Sequence, residues 1–235
     1  MGMRRLPVIA CLICVGLPAQ EPRGYSELCD DANSEKLCWR LEVSRGRVVS
    51  SLREAGRNFT PTDLGAFDPA SAGTLANGRF PTDHSDFPCG ARAIVSYGLP
   101  KTFRARAPGT DVHVDFFDCA GKPSGSVSYG DRVISLRQFH LDAGPGARQA
   151  LVVGFAGGSS IAFHCEVWVV ESDGRPKSVL SRNAKFVSAT AWTPGSEADI
   201  VLAVLHPANL AVNDQWVKTK FVWNPRSRTF APPVH

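Results

Sequence analysis

The sequence is poor in the features that most often announce a function. It has no HExxH, no G-x-S-x-G and no phosphate-cradling P-loop. Neither sign of charge dominates. The 26 basic and 22 acidic residues leave a formal +4, and no basic stripe with interleaved aromatics is present, so nucleic acid is not an expected partner. Helical periodicity is missing along the whole chain. No second long apolar run follows the N-terminal one, so no membrane-spanning segment is expected after it. Beyond residue 20 there is no CxxC and no Cys/His spacing suited to zinc, which argues against a redox motif or a structural zinc site. No cofactor is expected.

What is present begins at the N-terminus. Arg4 and Arg5 precede the apolar run Leu6–Leu17 and then Pro18-Ala19-Gln20, the layout of a secretory signal peptide. Residues 1–19 are read as that signal and residues 25–235 as a single secreted β domain, with a possible sub-boundary near 120–131. Val8-Ile9-Ala10-Cys11 resembles a lipoprotein cleavage box. It would leave an apolar region of only about five residues, short of the usual seven or more, so lipidation through Cys11 is the less favoured route. Loss of the signal takes Arg4 and Arg5 with it and lowers the formal charge from +4 to +2.

Of the seven cysteines, Cys29, Cys38, Cys89, Cys119 and Cys165 remain after processing. In an oxidising compartment disulfides are the default, and an odd number leaves one thiol over. Ala91–Tyr97 and Asp111–Phe117 read as consecutive strands. Pairing them antiparallel, with Tyr97 opposite Asp111, brings Cys89 opposite Cys119 two residues beyond the ladder. Cys29 and Cys38 then pair across a polar loop. Cys165, within an apolar run, stays reduced as a small hydrophobe.

That run belongs to Gln149–Glu171, the most apolar stretch outside the N-terminus. It reads as a strand over Ala150–Phe155, a glycine-serine turn over Ala156–Ser160, and a strand over Ile161–Val170. Gly157-Gly158-Ser159-Ser160 is better taken as this turn than as a nucleophile elbow, because no helix follows. Further strands are expected at Leu37–Val43, Val48–Leu52, Arg132–Phe139, Phe186–Trp192, Asp199–Leu205 and Trp216–Trp223. Many short strands separated by Gly/Pro/Asn turns predict an all-β fold: an antiparallel meander, propeller-like or a β-sandwich. Residues 60–88 show no periodicity and are expected to form a long irregular loop, either a mobile surface segment or a functional lid.

Phe139-His140-Leu141-Asp142-Ala143-Gly144-Pro145-Gly146, followed by Leu151-Val152-Val153, resembles a degenerate FG-GAP-type repeat. The turn Ser172–Pro176 and the ending Trp223-Asn224-Pro225 are similar to blades of secreted bacterial proteins that carry such repeats. The resemblance covers at most the C-terminal hundred residues and implies a meander or propeller-like half. The family's loop often binds calcium. Here Asp142 is the one carboxylate left, with His140 and Gly144 where others would stand, and calcium needs several oxygen ligands. No metal is expected there.

Four of the six histidines are followed two residues later by an acid: His84/Asp86, His113/Asp115, His140/Asp142 and His164/Glu166. Composition alone gives about half a pair by chance. On a strand such residues share a face, so His113, Asp115, His140, Asp142, His164 and Glu166 are candidate metal ligands, provided that the pairs converge. The simpler expectation is that each is a polar strand face. Trp168, Trp192, Trp216 and Trp223 are candidate binding residues, able to stack on sugars or anchor a protein. Together these features favour a secreted or periplasmic binding or scaffolding protein for a protein or carbohydrate ligand, without an assigned catalytic residue. The alternative is an envelope-polymer hydrolase with the 60–88 loop as its lid.

Overall fold

The run Ala150–Phe155 has no polar alternate position because both of its faces are covered. In the computed structural model, Leu151, Val153 and Phe155 pack into one hydrophobic core, and Ala150 and Val152 pack into another. Successive strand side chains point to opposite faces of a sheet, so a strand at the centre of a layered stack must be apolar throughout. Each fully buried Leu or Val side chain adds about 1.5–3 kcal/mol.

The structure describes residues 24–30, 37–54, 57–58, 61–76, 78–104, 109–129, 132–143, 148–156, 163–171, 173–205 and 216–233. The expected signal segment, Cys11 and the Gly157–Ser160 turn lie outside them. Among the described residues the fold is all-β, in four antiparallel sheets that follow one another along the chain. The first holds β1 (Tyr25–Cys29), β2 (Cys38–Ser44), β3 (Arg47–Glu54), the two-residue β4 (Arg57–Asn58) and β5 (Thr62–Ala66). The second runs β6 (Phe80–Asp86), β7 (Arg92–Gly98), β8 (Asp111–Phe117) and β9 (Pro123–Tyr129). The third runs β10 (Arg132–His140), β11 (Gln149–Ala156), β12 (Phe163–Val170) and β13 (Pro176–Arg182). The fourth runs β14 (Ala184–Thr190), β15 (Asp199–Leu205), β16 (Trp216–Asn224) and β17 (Thr229–Ala231). Each of the last three is a four-stranded meander, and this serial arrangement fits a propeller-like or sandwich-like stack.

The two cores join the sheets in sequence order. One gathers Leu41 and Val48 from the first sheet, Val95, Tyr97, Val114 and Phe116 from the second, and the odd-numbered face of β11 from the third. The other gathers Cys165, Val167 and Val169 of β12 with Ile200, Leu202, Phe221 and Trp223 of the fourth sheet. Residues 120–131, considered as a sub-boundary, cover a turn, β9 and the passage from the second sheet to the third, and the first core runs across them. The Val133 N–H donates to the Tyr97 hydroxyl at 3.2 Å across the same junction.

Two sequence expectations need correction. The irregular loop is shorter than 60–88, because β5 and β6 occupy much of it and only 67–79 connects them. That connection is anchored. Phe67 N donates to Gly46 O and Asp68 N to Pro81 O, both at 2.9 Å, and Ser71 is fully buried. The second correction is the register of β7 and β8. Tyr97 faces Val112 and Arg92 faces Phe117, one residue away from the expected pairing. Cys89 and Cys119 are nevertheless bonded, as are Cys29 and Cys38. A short 3-10 turn at Pro88–Gly90 absorbs the offset, with Cys89 at φ 68° and Gly90 at φ 88°.

Candidate functional site

Strands β12 and β13 pair with Cys165 opposite Arg182 and Glu166 opposite Ser181. Continuing that ladder toward the start of β12 sets His164 beside Asn183. Glu166, His164, Ser181 and Asn183 therefore share the face opposite Cys165. Their side chains meet. Ser181 Oγ lies 3.2 Å from His164 Nε2 and 3.3 Å from Glu166 Oε1. His164 Nδ1 lies 3.1 Å from Asn183 Oδ1, and His164 Nε2 lies 3.2 Å from Glu166 Oε1. The Ser181 hydroxyl donates to Glu166, and a carboxylate oxygen facing Nε2 makes that ring nitrogen a donor as well. Ser181 is exposed, His164 half-buried and Glu166 buried, so the hydroxyl is the group that solvent and ligands reach.

On the other face at the same strand end, Phe163 meets Trp216 at the start of β16, edge to face with ring centroids 5.8 Å apart. Lys185 Nζ sits 4.4 Å from the Phe163 ring centre and 4.3 Å from that of Trp216. Trp216 and Phe163 are half-buried, and both rings belong to strand ends. Cys165 lies on the same face as Phe163, fully buried. Its thiol is pushed up to about 12 by burial, with the neighbouring Glu166 charge adding to the effect. It stays a thiol at any ordinary pH and packs as a hydrophobe.

The four tryptophans separate in this structure. Trp223 is 3% exposed and stacks on Phe230 at 5.3 Å, so it is core and not a binding surface. Trp168 packs half-buried against Phe116 at 5.2 Å, and Trp192 packs against the second core. Trp223 also has a cation, Arg148, 5.8 Å from its ring, but is buried; Trp216 is half-buried at a strand end with Lys185 and Phe163 beside it.

The His-x-acid pairs do not converge. Among the described residues the one cluster with metal-ligand spacing is Glu27, Cys29 and Cys38, whose two sulfurs are bonded to each other. Asp142 is engaged by Arg148, which donates from its backbone N–H and its Nε, each at 2.7 Å, while His140 is exposed. The one carboxylate of the 139–146 stretch, Asp142, is thus paired with a guanidinium. Asp115 takes Arg79 at 3.2 Å and the Ser126 hydroxyl at 2.6 Å. His84 Nδ1 lies 2.7 Å from Asp68, whose carboxylate also accepts from Ser71 Oγ at 2.5 Å and the Ala70 N–H at 3.0 Å. Burial alone would raise the Asp68 carboxyl; the hydrogen bonds outweigh it and hold the group below its usual value.

His113 beside Asp115 carries a pH prediction. Burial, reinforced by the Arg79 charge, depresses it to about 4 against the opposing pull of Asp115 and Asp111. The unfolded chain binds the proton more tightly, so stability is complete above about pH 6.5 and declines as pH falls toward 4. After discounting for partial solvent screening, the loss amounts to about 1–2 kcal/mol. H113Q should flatten that part of the profile. Urea midpoints at pH 7.5 and 4.5 check it, and an unchanged slope in the variant would refute the assignment.

Ser181, Asn183, Phe163 and Lys185 were not singled out in the sequence. The available signal was the Ser172–Pro176 turn. A hairpin through it, with strand PKSVLSR returning beside FHCEVWVV, sets Ser181 and Asn183 against Glu166 and His164. No protein-family model matches the chain, and no curated protein does either. The functional reading therefore rests on the geometry alone.

Proposed function

We propose that the protein is an exported binding protein that takes a carbohydrate ligand at the strand end where Phe163, Lys185 and Trp216 meet. The observation that carries this reading is Trp216, an indole outside the hydrophobic cores and next to a second ring and an ammonium. A pyranose ring offers C–H groups to an aromatic face, and Lys185 can donate to its hydroxyl or carboxylate oxygens. Export is supported by the signal-like N-terminus and by two disulfides, which persist in oxidising compartments. No described helix is long and apolar enough to cross a membrane. The alternative of a hydrolase closed by a 60–88 lid has less support, because 67–79 is tied down by Asp68, Ser71 and the backbone bonds to Gly46 and Pro81.

Titration calorimetry with soluble neutral and uronic-acid oligosaccharides tests the reading. Loss of a central aromatic typically costs about 2 kcal/mol or more, so W216A should weaken binding roughly 30-fold while leaving the melting temperature near that of the parent. Equal affinity for parent and W216A would reject the site. Saturable binding of a protein partner instead, with no oligosaccharide binding, would reject the ligand class.

A further inference from the structure

The fourth sheet ends the series, and its two faces differ. Ile200, Leu202, Phe221 and Trp223 point into the core shared with the third sheet. The alternate residues of β16, namely Trp216, Lys218, Lys220, Val222 and Asn224, therefore share the outer face. The strand register carries that face across the sheet. Lys185 of β14 stands opposite Ala203 of β15, and Ala203 stands opposite Lys218. We infer that this face binds a linear acidic polysaccharide, a uronic-acid chain laid along β16 from Trp216 toward the C-terminal end of the strand. The inference deepens the carbohydrate reading above and rests on it.

Charge sets the chemistry of the occupant. Lys185 and Lys218 lie two strand spacings apart, roughly 10 Å between Cα atoms, with only the Ala203 methyl between them. Lys218 is exposed, and both ammonium groups can reach one carboxylate. Lys185 Nζ already lies 4.3 Å from the centre of the Trp216 ring, so an anion that it meets brings its sugar over that indole. Asp199, which the register places on this face opposite Val222, is 7% exposed and held by Lys220 Nζ at 2.8 Å. It cancels Lys220 and leaves Lys185 and Lys218 unbalanced.

Length sets the form. Trp216 to Asn224 is eight residue steps, about 26 Å at a strand rise of about 3.3 Å per residue. The far end opens into a cleft of 520 Å³ lined by Val222, Asn224, Arg226, Ala231 and Pro232, with Glu197 as the acid on its wall. Rings at one end, lysines along the strand and a cleft at the other end suit a chain of several sugar units. Two unbalanced charges over that length match one carboxylate per sugar better than the dense phosphates of nucleic acid.

Titration calorimetry of the full chain tests this with oligogalacturonates of two and six units and with neutral maltohexaose. The acidic hexamer should bind about 10-fold or more tightly than either the neutral hexamer or the acidic dimer. K218E should weaken the acidic hexamer about 3–10-fold and leave the neutral one unchanged, with K218Q between parent and K218E. K122E makes the same charge change at an exposed turn of the second sheet and should leave both affinities as they are. R226E should weaken the acidic hexamer and spare the dimer, which fits at the Trp216 end alone. Melting temperatures near that of the parent show that each variant is folded. Equal affinity for the acidic and neutral hexamers would overturn the inference and leave the carbohydrate reading standing. So would a K218E affinity equal to the parent's, or tighter binding of a single-stranded oligonucleotide than of the acidic hexamer. Binding of neither hexamer would overturn both.

Discussion

Replacing Cys89 and Cys119 together by serine is expected to lower the melting temperature by roughly 10 °C. The bond links residues 30 apart in sequence, and the chain-entropy model assigns a loop of that length about 3–4 kcal/mol. For a domain near 200 residues, each kcal/mol shifts the midpoint by roughly 2–4 °C. The Cys29–Cys38 bond spans 9 residues and should be worth nearer 2.5–3 kcal/mol, so C29S/C38S is the internal reference. The two bonds also sit in different surroundings. Cys89 occupies a left-handed backbone conformation inside the Pro88–Gly90 turn, which is closed by bonds from Phe87 N to Ala91 O and from Gly90 N to Phe87 O. Opposite it, the Asp118–Lys122 turn is closed by Asp118 N to Lys122 O and two further bonds to the Asp118 carboxylate. Scanning calorimetry of both double variants decides the point. A smaller loss for C89S/C119S than for C29S/C38S would contradict the loop-length argument.

The sequence was most readable where burial left a regular trace. In β2, Trp39 and Leu41 are buried and Arg40 and Glu42 are partly open, so alternation identified the strand and its inner face. In β11 both faces are covered, and a continuous apolar run identified it as central. The strands that went unread lie at sheet edges, although the edge strands β10 and β14 were read. β1, β6, β9, β13 and β17 each end the strand order of a sheet, and an edge strand can form from polar residues because one side is not enclosed. β9 and β13 both begin with proline, tolerated at the first position of an edge strand and easily taken for a loop signal. β6, with its His84, Ser85 and Asp86, looked irregular for the same reason.

The candidate site follows the same division. His164 and Glu166 were legible as a pair because they lie on an apolar strand with recognisable alternation. Their partners, Ser181 at the end of β13 and Asn183 just past it, could be located only by pairing that strand. The register error between β7 and β8 has a local cause as well. Two consecutive residues with positive φ, Cys89 and Gly90, take up the offset that a straight extension of the ladder ignores. Alternation reports which face of a strand is buried, and it carries no record of how many residues a turn consumes.

Gly174→Ala is expected to be among the most damaging single substitutions available, costing about 3 kcal/mol or more. Gly174 lies in the turn between β12 and β13 at φ 83°, a conformation that costs an L-residue roughly 1–2 kcal/mol. The turn is fixed by Gly174 N to Glu171 O at 2.9 Å, Glu171 N to Arg175 O at 3.0 Å, and Arg175 N to the Asp173 side chain at 3.0 Å. Space is the larger obstacle. An added Cβ would stand 2.8 Å from Asp118 Cα, 2.9 Å from Cys119 N and 3.0 Å from Ala91 Cβ. Two of those are backbone atoms beside the Cys89–Cys119 bond, so no side chain can swing aside. Overpacking of this kind typically costs about 1–3 kcal/mol. The contact is also where the third sheet seats on the second, and Ser124 Oγ donates to Gly174 O at 3.4 Å across it. Gly195 provides the control, since it has φ 88° with no atom near its Cβ position. G195A should therefore show the conformational cost alone, about 1–2 kcal/mol. Urea unfolding of the two variants separates the contributions. Equal losses would mean that the sheets part freely at Gly174, while a loss larger by roughly 1–3 kcal/mol in G174A places a rigid inter-sheet contact there.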